Sequence, residues 1–456
     1  MTALSSVNLL LQPGQWRAQL RRADPTLLKG SIRAFSLNAG GLLLGLVTQT
    51  VLARTLGTRG YGLYVYVLGW SNVAGLLCAL EFANAAVRFV SAYAATEDWG
   101  SLRGFIRRSH QIVVATTLTV AAIGAGLLLF ALDYDQLIEF AFLAVCALFP
   151  LTSVVQLQGG ILLGLKRVTQ SQAPYQVLRP ALFAVTVIAT ARLLGSNFNA
   201  WHAVTLQFVA TGVALSATAW FLRREVPAQA YQHAPSYHTM EWVQASGHFV
   251  AISIAQLVLS TQADVLIVGA LLGTSQAGFY GAASQLASLV GFGATAIMVI
   301  AQPMIADLFA RGELADLRRI STQILKLTFL VSTPVFFLVV ALGKPLLHLY
   351  GLQFVPTYPV LVVLATSQLI AAVLGMLLGY LFTMTAHQHI ATRIIGISAA
   401  LNIVLTLFLT PRYGMIGTAT ATAISTLVRS VTLALAARRI FARQPVRIPP
   451  PTDTIV

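Results

Sequence analysis

The feature that most constrains the fold of this chain is a series of long apolar runs. Twelve stretches of about 20 or more mostly apolar residues follow one another, at roughly 31–53, 62–84, 109–132, 138–163, 174–194, 200–222, 247–271, 278–303, 321–343, 358–384, 391–410 and 414–436. A helix needs about 20 such residues to cross a bilayer, whereas membrane barrels use short segments of alternating polarity. The pattern therefore predicts an all-α integral membrane protein with twelve transmembrane helices.

The composition excludes several other classes of protein. Of the 456 residues, 57% are hydrophobic and only 9% are charged, against about 25% charged in a soluble domain. The two cysteines, Cys78 and Cys146, both lie in apolar runs and give neither a disulfide framework nor a metal-binding spacing. The chain contains no phosphate-binding Gly-x-x-x-x-Gly-Lys-Ser/Thr loop. We therefore expect no metal, no cofactor and no ATPase activity of its own, and interpret the protein as a non-enzyme.

The distribution of basic residues predicts how the chain is oriented. With twelve spans and a cytoplasmic N-terminus, 24 of the 29 lysines and arginines fall on cytoplasmic segments and five on outer ones. An excess of basic residues on the cytoplasmic side is the usual rule for membrane proteins. The net charge of +15 therefore indicates orientation rather than nucleic-acid binding. We expect a multi-pass protein with both termini in the cytoplasm and no signal peptide.

An internal repeat divides the chain into two similar halves. Leu56-Gly57-Thr58 through Gly62-Leu63-Tyr64 returns 216 residues later as Leu272-Gly273-Thr274 through Gly278-Phe279-Tyr280. Six spans per half is an even number, so both halves enter from the same side and form a parallel repeat, as in several transporter folds. The predicted organisation is a cytoplasmic arm at 1–30, a six-helix half at 31–222, a cytoplasmic linker at 223–246, a second six-helix half at 247–437 and a cytoplasmic tail at 438–456, with a cavity between the halves.

Small and polar residues repeat at helical spacing in four of the spans. Asn38, Gly41, Gly45 and Gln49 share one face of helix 1, and Ser253, Gln256, Ser260 and Asp264 share the matching face of helix 7. Helices 2 and 8 carry similar faces, and Gln285 lies on helix 8. Such faces serve either helix packing or a hydrated cavity, and the pattern leaves both interpretations open.

Several charges lie inside the apolar runs, where they are costly and often functional. Arg33, Arg88, Arg179 and Arg429 all fall in the cytoplasmic part of their spans. There they either extend toward the headgroups or make the inner mouth of a cavity electropositive, which suits a phosphate ligand. Asp264 and Glu81 are acids within spans. Each is either a structural hydrogen-bonding group or an ion-coupling carboxylate, and Glu81 has Arg88 as a candidate partner two turns away.

Three stretches together resemble a known family. Lys29-Gly30-Ser31 with the segment 56–64 and Glu81 to Arg88-Phe89-Val90 resembles the start of bacterial oligosaccharide-lipid flippases. Ala263-Asp264-Val265-Leu266 through Tyr280 is similar to the start of their second half, and Tyr413-Gly414-Met415-Ile416-Gly417 to their final helix. This family belongs to the multidrug/oligosaccharidyl-lipid/polysaccharide exporter superfamily. Where this chain has Glu81, members of the family often carry Asp.

The resemblance implies a flippase for an undecaprenyl-pyrophosphate-linked oligosaccharide. The lipid would move from the cytoplasmic to the periplasmic leaflet of the bacterial inner membrane by rocking of the two halves, with the glycine-rich segments 57–62 and 273–278 as hinges. A proton or sodium ion would drive the cycle, and a polysaccharide polymerase is a candidate partner. The alternatives are a cation-coupled exporter of small molecules on the same fold and a membrane enzyme. The scarcity of intramembrane acids disfavours the exporter, and the lack of a large outer loop disfavours the enzyme.

The candidate site follows from these patterns. The expected substrate-binding residues are Arg33, Asn38, Gln49, Arg88, Arg179, Gln256, Gln285 and Arg429, and the expected coupling residues are Asp264 and Glu81.

Overall fold

A computed structural model describes residues 25–130, 136–310, 313–384 and 388–443, and within them no strand is present. The side chains of residues 25–35 lie outside the described set. The helices are α1 (Pro25–Ala79), α2 (Phe82–Ala95), α3 (Trp99–Phe130), α4 (Gln136–Gly164), α5 (Val168–Leu194), α6 (Ala200–Glu225), α7 (Ala228–Gln232), α8 (Thr239–Val258), α9 (Thr261–Leu272), α10 (Thr274–Ala287), α11 (Leu289–Ala310), α12 (Leu314–Ala341), α13 (Gly343–Tyr350), α14 (358–384) and α15 (Gln388–Arg443).

The long apolar helices are consistent with the sequence pattern. Among the described residues, eight helices are long and apolar enough to cross, or nine if α10 and the start of α11 form one bent span. Two of the eight, Ser36–Ala79 and His389–Arg439, contain 44 and 51 residues. At 1.5 Å per residue they measure about 66 and 77 Å, twice the hydrocarbon thickness. If each of these two helices counts as two arms, and if α8 with α9 and α10 with α11 each form one broken span, the structure is consistent with twelve spans.

Single glycines make the corners between the paired arms. Gly57 inside α1 has φ 64° and ψ −175°, and its repeat partner Gly273 has φ 96° and ψ 162°. A residue with a side chain does not adopt these angles without strain. The expectation of hinge loops at 57–62 and 273–278 is therefore wrong in extent. One glycine turns the chain, and Gly62 and Gly278 lie inside the helices that follow.

The two halves pack together at the end of the bundle that carries these corners, called here the glycine end. A Cβ added at Gly62 would lie 2.0 Å from the carbonyl oxygen of Thr274, and one at Gly278 would lie 2.7 Å from the Cα of Gly62. The ring of Tyr61 meets Tyr350 and Phe354 edge-on, at 6.3 and 5.8 Å between centroids. The second arm of α1 and α10 thus touch backbone to backbone.

Arg54 adds a polar contact at the glycine end, because its Nε donates to the carbonyl oxygen of Leu349 at 2.6 Å. The contact joins the first arm of α1 to α13. It spans the two sequence halves.

At the opposite end, called here the basic end, the segment between the halves is fixed to α3. Arg103 donates to the carbonyl oxygens of Tyr231 and His233 at 2.9 and 2.8 Å, and the amide of Ser236 donates to Gly100 at 3.0 Å. Of the expected linker 223–246, residues 223–225 belong to α6 and 239–246 to α8. The connection therefore consists of 226–238 and lies along one half.

Trp242, near the start of α8, is completely buried at the basic end. Its indole N–H donates to the hydroxyl of Tyr93 at 3.0 Å, and its ring meets Phe105 edge-on at 5.2 Å. Hydropathy detects only the stretch of a helix that lies in lipid, so the first two turns of α3 and of α8 fall outside the apolar runs. The contact between Phe105 and Trp242 in these turns nevertheless packs α8 against the first half.

Candidate functional site

Asp264 lies in the first turn of α9 and is 1% exposed. The backbone is broken just before it, because Ser260 is extended (ψ 155°) and ends the path of α8. One carboxylate oxygen, Oδ2, accepts from the hydroxyls of Tyr280 and Thr422, each at 2.8 Å. The amide of Asn402 donates to the hydroxyl of Thr422 at 3.3 Å. These residues place α9, α10 and both arms of α15 around one carboxylate.

The Asp264 cluster, defined as Asp264, Tyr280, Asn402 and Thr422, keeps two oxygens unused. Asp264 Oδ1 and Asn402 Oδ1 are buried without a hydrogen-bond partner, as is the hydroxyl of Thr406, one turn after Asn402 on α15. Buried polar atoms are normally paired, and exceptions call for an explanation such as a bound ion. A carboxylate, an amide oxygen and hydroxyls are hard oxygen ligands, which suit a proton or an alkali cation rather than a soft metal. Among the described residues no group of three His, Cys, Asp or Glu side chains forms a metal site.

The sequence reasoning found Asp264 but missed its partners in the last two spans. Four buried polar residues stand one turn apart in the first arm of α15, and four more stand one turn apart in its second arm. They are Ser398, Asn402, Thr406, Thr410, Thr418, Thr422, Thr426 and Ser430. The i, i+4 spacing was the available signal, because residues so spaced share a helix face.

A cavity of about 180 Å³, partly open to the outside, lies between the second arm of α1, α3, α4 and α8. It is smaller than most sites for drug-sized ligands, which measure about 300–1,000 Å³. The polar side chains among its described lining are Ser71, Asn72, Glu81, Thr152, Ser153 and Gln156. The first arm of α1 and α10 contribute no described lining residue, unlike the expected lining by helices 1, 2, 7 and 8. On the first arm of α1, Gly41 packs closely against the carbonyl oxygen of Gln176, whereas a Cβ added at Gly45 would meet nothing within 4 Å.

Glu81 reaches this cavity through an unusual backbone turn. Leu80 and Glu81 have φ of 49° and 55°, the left-handed region that residues with side chains rarely adopt. Such strain costs on the order of 1–3 kcal/mol per residue and concentrates at functional sites. The Oε2 atom of Glu81 accepts from the side-chain amide of Asn84 at 2.5 Å. The expected pair with Arg88 does not form: the Glu81 carboxylate bonds to Asn84, and the guanidinium of Arg88 lies over the ring of Phe89, 5.4 Å from its centroid.

Two of the expected arginines are half-buried, and each lies beside a π-helical turn. Arg179 directly follows the turn Pro174–Leu178, and its guanidinium stacks 4.0 Å from the ring centroid of Tyr175. Arg429 faces the turn Ala371–Met376, where a Cβ at Gly375 would lie 3.7 Å from its Nη2. Neither forms an ion pair with a described residue; the described ion pair is Arg167 with Glu225, at 2.7 Å. Single π-helical turns are frequent at functional sites.

The remaining expected residues are spread along the bundle. Arg88 and Gln256 are exposed, and Asn38, Gln49 and Gln285 are half-buried. The side-chain oxygen of Gln49 is buried and unpaired. Arg33 lies outside the side chains that the structure describes. The structure thus does not bring all ten expected residues into one site: Glu81 lines the cavity, Asp264 has its own cluster, and two arginines lie beside π-turns.

Comparisons with known proteins agree with this architecture. Residues 27–309 match the family described as polysaccharide biosynthesis protein. A probable low-salt glycan biosynthesis flippase, Agl15, of Haloferax volcanii is 24% identical over 169 residues, which is 37% of this chain and 36% of the relative. The match thus spans about a third of that curated relative.

Two solved structures share the fold. An inward-facing multidrug resistance MATE family transporter of the MOP superfamily superposes with a TM-score of 0.70 at 14% identity, covering 90% of this chain and 98% of the other. A MOP superfamily transporter from Pyrococcus furiosus, described as having a binding pocket of reverse polarity, gives 0.66 at 14% identity, covering 93% and 97%. The family match covers more than half of the chain, and it shows that the protein belongs to the family described as polysaccharide biosynthesis protein.

Proposed function

We propose that the protein flips an undecaprenyl-pyrophosphate-linked oligosaccharide from the cytoplasmic to the periplasmic leaflet of a bacterial inner membrane, for surface polysaccharide biosynthesis. The observation that carries this proposal is the pair of half-buried arginines, Arg179 and Arg429, neither of which forms an ion pair with a described acid. Arg179 lies about 16 Å along α5 and Arg429 about 22 Å beyond Gly414, by helical rise. A guanidinium held in an apolar bundle without a counter-ion favours an anionic ligand, and its planar fork suits phosphate oxygens.

The arrangement of the halves supports transport by alternating access. The halves touch backbone to backbone at the glycine end, and the cavity lies between α1, α3, α4 and α8 further along the bundle. The basic end carries most lysines and arginines, so we place it in the cytoplasm with both termini. The cavity then loads from the cytoplasmic side, and rocking of the halves opens the glycine end to the periplasm.

We propose that Asp264 couples ion movement to this cycle. Its unpaired Oδ1, with the unpaired oxygens of Asn402 and Thr406, provides a buried acceptor set for a proton or a sodium ion. The cluster joins α9 and α10 to both arms of α15, so occupancy changes how these helices pack. Glu81 was the second expected coupling residue; its place in the cavity suits a contact with substrate, which is argued below.

Two further observations bear on partners and on the alternative. The family and Agl15 are both named for glycan biosynthesis, and we propose a lipid-linked glycan as cargo and a polysaccharide polymerase as a partner. A cation-coupled exporter of small molecules shares the fold. Such an exporter would bind cationic cargo through intramembrane acids. The described spans instead contain few acids, and Arg179 and Arg429 form no ion pair with a described residue.

The test replaces the endogenous protein by an Arg179→Ala/Arg429→Ala variant in cells. We expect surface glycan to be lost and lipid-linked oligosaccharide to accumulate where a periplasmic sugar-modifying probe cannot reach it, because the pyrophosphate loses its counter-charges. The amount of variant in the membrane is measured in parallel.

The matched control is Arg223→Ala/Arg224→Ala, which removes two exposed arginines at the end of α6 and should leave export unchanged. If cells with the Arg179→Ala/Arg429→Ala variant accumulated the lipid-linked oligosaccharide in the outer leaflet, the defect would belong to a step after flipping. Normal surface glycan, or no accumulation of the lipid, would contradict the proposal and favour the small-molecule exporter.

A further inference from the structure

The cavity beside Glu81 has the wrong chemistry for the phosphates of the proposed cargo. Its described lining contains one carboxylate, Glu81, and no lysine, arginine or histidine. A pyrophosphate only accepts hydrogen bonds and carries negative charge, so a carboxylate in the wall repels it. The ligand of this cavity must therefore be neutral or cationic.

The polar groups of the lining are mainly free to accept hydrogen bonds. The hydroxyls of Thr152 and Ser153 donate to the carbonyl oxygens of Leu148 and Phe149 at 3.2 and 2.9 Å. Each hydroxyl has a single hydrogen, so the oxygens of Thr152 and Ser153 face a ligand as acceptors. A cavity rich in acceptors selects a ligand rich in donors, such as a sugar with several hydroxyls.

Two amides complete the set. Asn72 donates one N–H to the side-chain oxygen of Gln262 at 3.3 Å, which leaves its own carbonyl oxygen as an acceptor. Gln156 is exposed to the cavity and offers both a donor and an acceptor. A hydroxyl donates and accepts at once, so sugar hydroxyls match such amides in both roles.

Glu81 is held in a defined position in this wall. Its Oε2 accepts from the side-chain amide of Asn84 at 2.5 Å, and Leu80 and Glu81 form a left-handed turn directly before α2. A carboxylate can accept from two adjacent hydroxyls, and bonds to a charged acceptor are about twice as strong as neutral ones.

An organic cation is the less suitable ligand. Aromatic faces commonly surround such cations, and the described lining contains no Phe, Tyr or Trp. Leu76, Val113 and Leu257 instead provide aliphatic surface, against which the C–H face of a sugar ring can pack.

We propose that this cavity binds a neutral sugar ring of the lipid-linked head group, with Glu81 accepting from two adjacent hydroxyls and the phosphates placed outside it. The inference rests on the proposed function and divides the head group between two sites. The sugar lies against α1 and α4, and the pyrophosphate lies nearer the arginines.

The test measures ligand-induced shifts in thermal unfolding of the full-length protein in a polyoxyethylene detergent. Unfolding is followed by the reaction of the buried Cys78 with a fluorogenic maleimide, in a Cys146→Ala background. The probes are octyl β-glucoside, the matched octyl tetraoxyethylene ether without a sugar, and undecaprenyl pyrophosphate without a sugar. We expect the glucoside and the pyrophosphate to raise the unfolding temperature and the ether to leave it unchanged.

Glu81→Gln should raise the half-maximal glucoside concentration by about tenfold or more, because a charge-assisted contact is lost, and should leave the pyrophosphate response unchanged. Gln156→Ala, at an exposed position, should act in the same direction. Glu97→Gln is the matched control, because Glu97 is an exposed acid outside the cavity, and it should change neither response.

The outcomes separate this inference from the proposed function. A glucoside response that is absent from the parent protein, or unchanged in both Glu81→Gln and Gln156→Ala, overturns the sugar site. Loss of both responses in Glu81→Gln also overturns it, because the effect would not be specific to sugar. Absence of the pyrophosphate response with a normal glucoside response overturns the proposed function alone.

Discussion

Replacing Gly62 by alanine should push the halves apart at the glycine end. The new Cβ would lie 2.0 Å from the carbonyl oxygen of Thr274, 2.7 Å from its carbonyl carbon and 3.1 Å from the Cα of Ser275. All three are backbone atoms, so no side-chain rotation relieves the clash. Ordinary contact begins at 3.4 Å, and the second arm of α1 must therefore move about 1.4 Å from α10.

The size of the effect follows from this overlap. Overpacking of a tight contact costs about 1–3 kcal/mol, and a clash with backbone lies toward the upper part of that range. A cost of about 2–3 kcal/mol, at 1.4 kcal/mol per tenfold, changes the equilibrium between closed and open glycine ends by roughly 30- to 140-fold. A protein that rests mainly in the closed state would then be largely open at this end.

The assay measures the distance between two spin labels at the glycine end by electron paramagnetic resonance. Thr55 and Leu352 are exposed, on the first arm of α1 and in the 3₁₀ turn Leu352–Thr357 that follows α13, and Cys78 and Cys146 are replaced by alanine. We expect Gly62→Ala to move population from the short to a longer distance. Gly45→Ala is the matched control, because its added Cβ meets nothing within 4 Å.

An unchanged distance distribution in a folded Gly62→Ala protein would refute this reasoning, because the contact would then not hold the halves together. A change of equal size in Gly45→Ala would refute it as well, because the effect would then reflect alanine in a helix rather than the contact with Thr274.

Two further predictions concern single acids. Asp264→Asn should abolish the dependence of export on the ion gradient, which is measured with and without an uncoupler. Tyr280→Phe removes one hydrogen bond but keeps the charge of Asp264, and it should retain this dependence. An unchanged response to the uncoupler in Asp264→Asn would remove the coupling role. Asp98 caps α3, and the backbone N–H of Ser101, 3.0 Å from its carboxylate, lowers the pKa of Asp98. Because the folded pKa is depressed, this stabilisation is present above the usual carboxyl pKa of 3.8 and is lost as the pH falls through the folded value. Asp98→Ala should cost about 1 kcal/mol at pH 7 and lower the unfolding temperature there. This cost should become smaller below the folded pKa, because only the weaker bond to a neutral carboxyl is then left to lose. Asp98→Asn should keep a neutral cap and lack this pH dependence, and equal stability of Asp98→Ala and the parent protein at pH 7 would contradict the cap.

The sequence by itself determined the class and the architecture of this protein. Apolar runs of bilayer length can be satisfied only by membrane-spanning helices, because lipid offers no partner for backbone N–H and C=O groups. The Leu-Gly-Thr repeat around Gly57 and Gly273 determined the two halves, and the structure places both glycines at equivalent corners. Asp264 was identifiable as well, since a carboxylate in an apolar run is uncommon.

Only the tertiary structure decided which polar residues meet. Asn402 and Thr422 are more than 130 residues from Asp264 in the chain, and their contact depends on how α15 packs on α9. The left-handed turn at Leu80 and Glu81 is set by neighbouring packing, because local propensity opposes it. A helix face of small residues, such as the one that contains Gly62, has the same sequence pattern whether it lines a cavity or allows close packing. Its contact with Thr274 depends on which helix lies opposite, and periodicity along one helix carries no information about that.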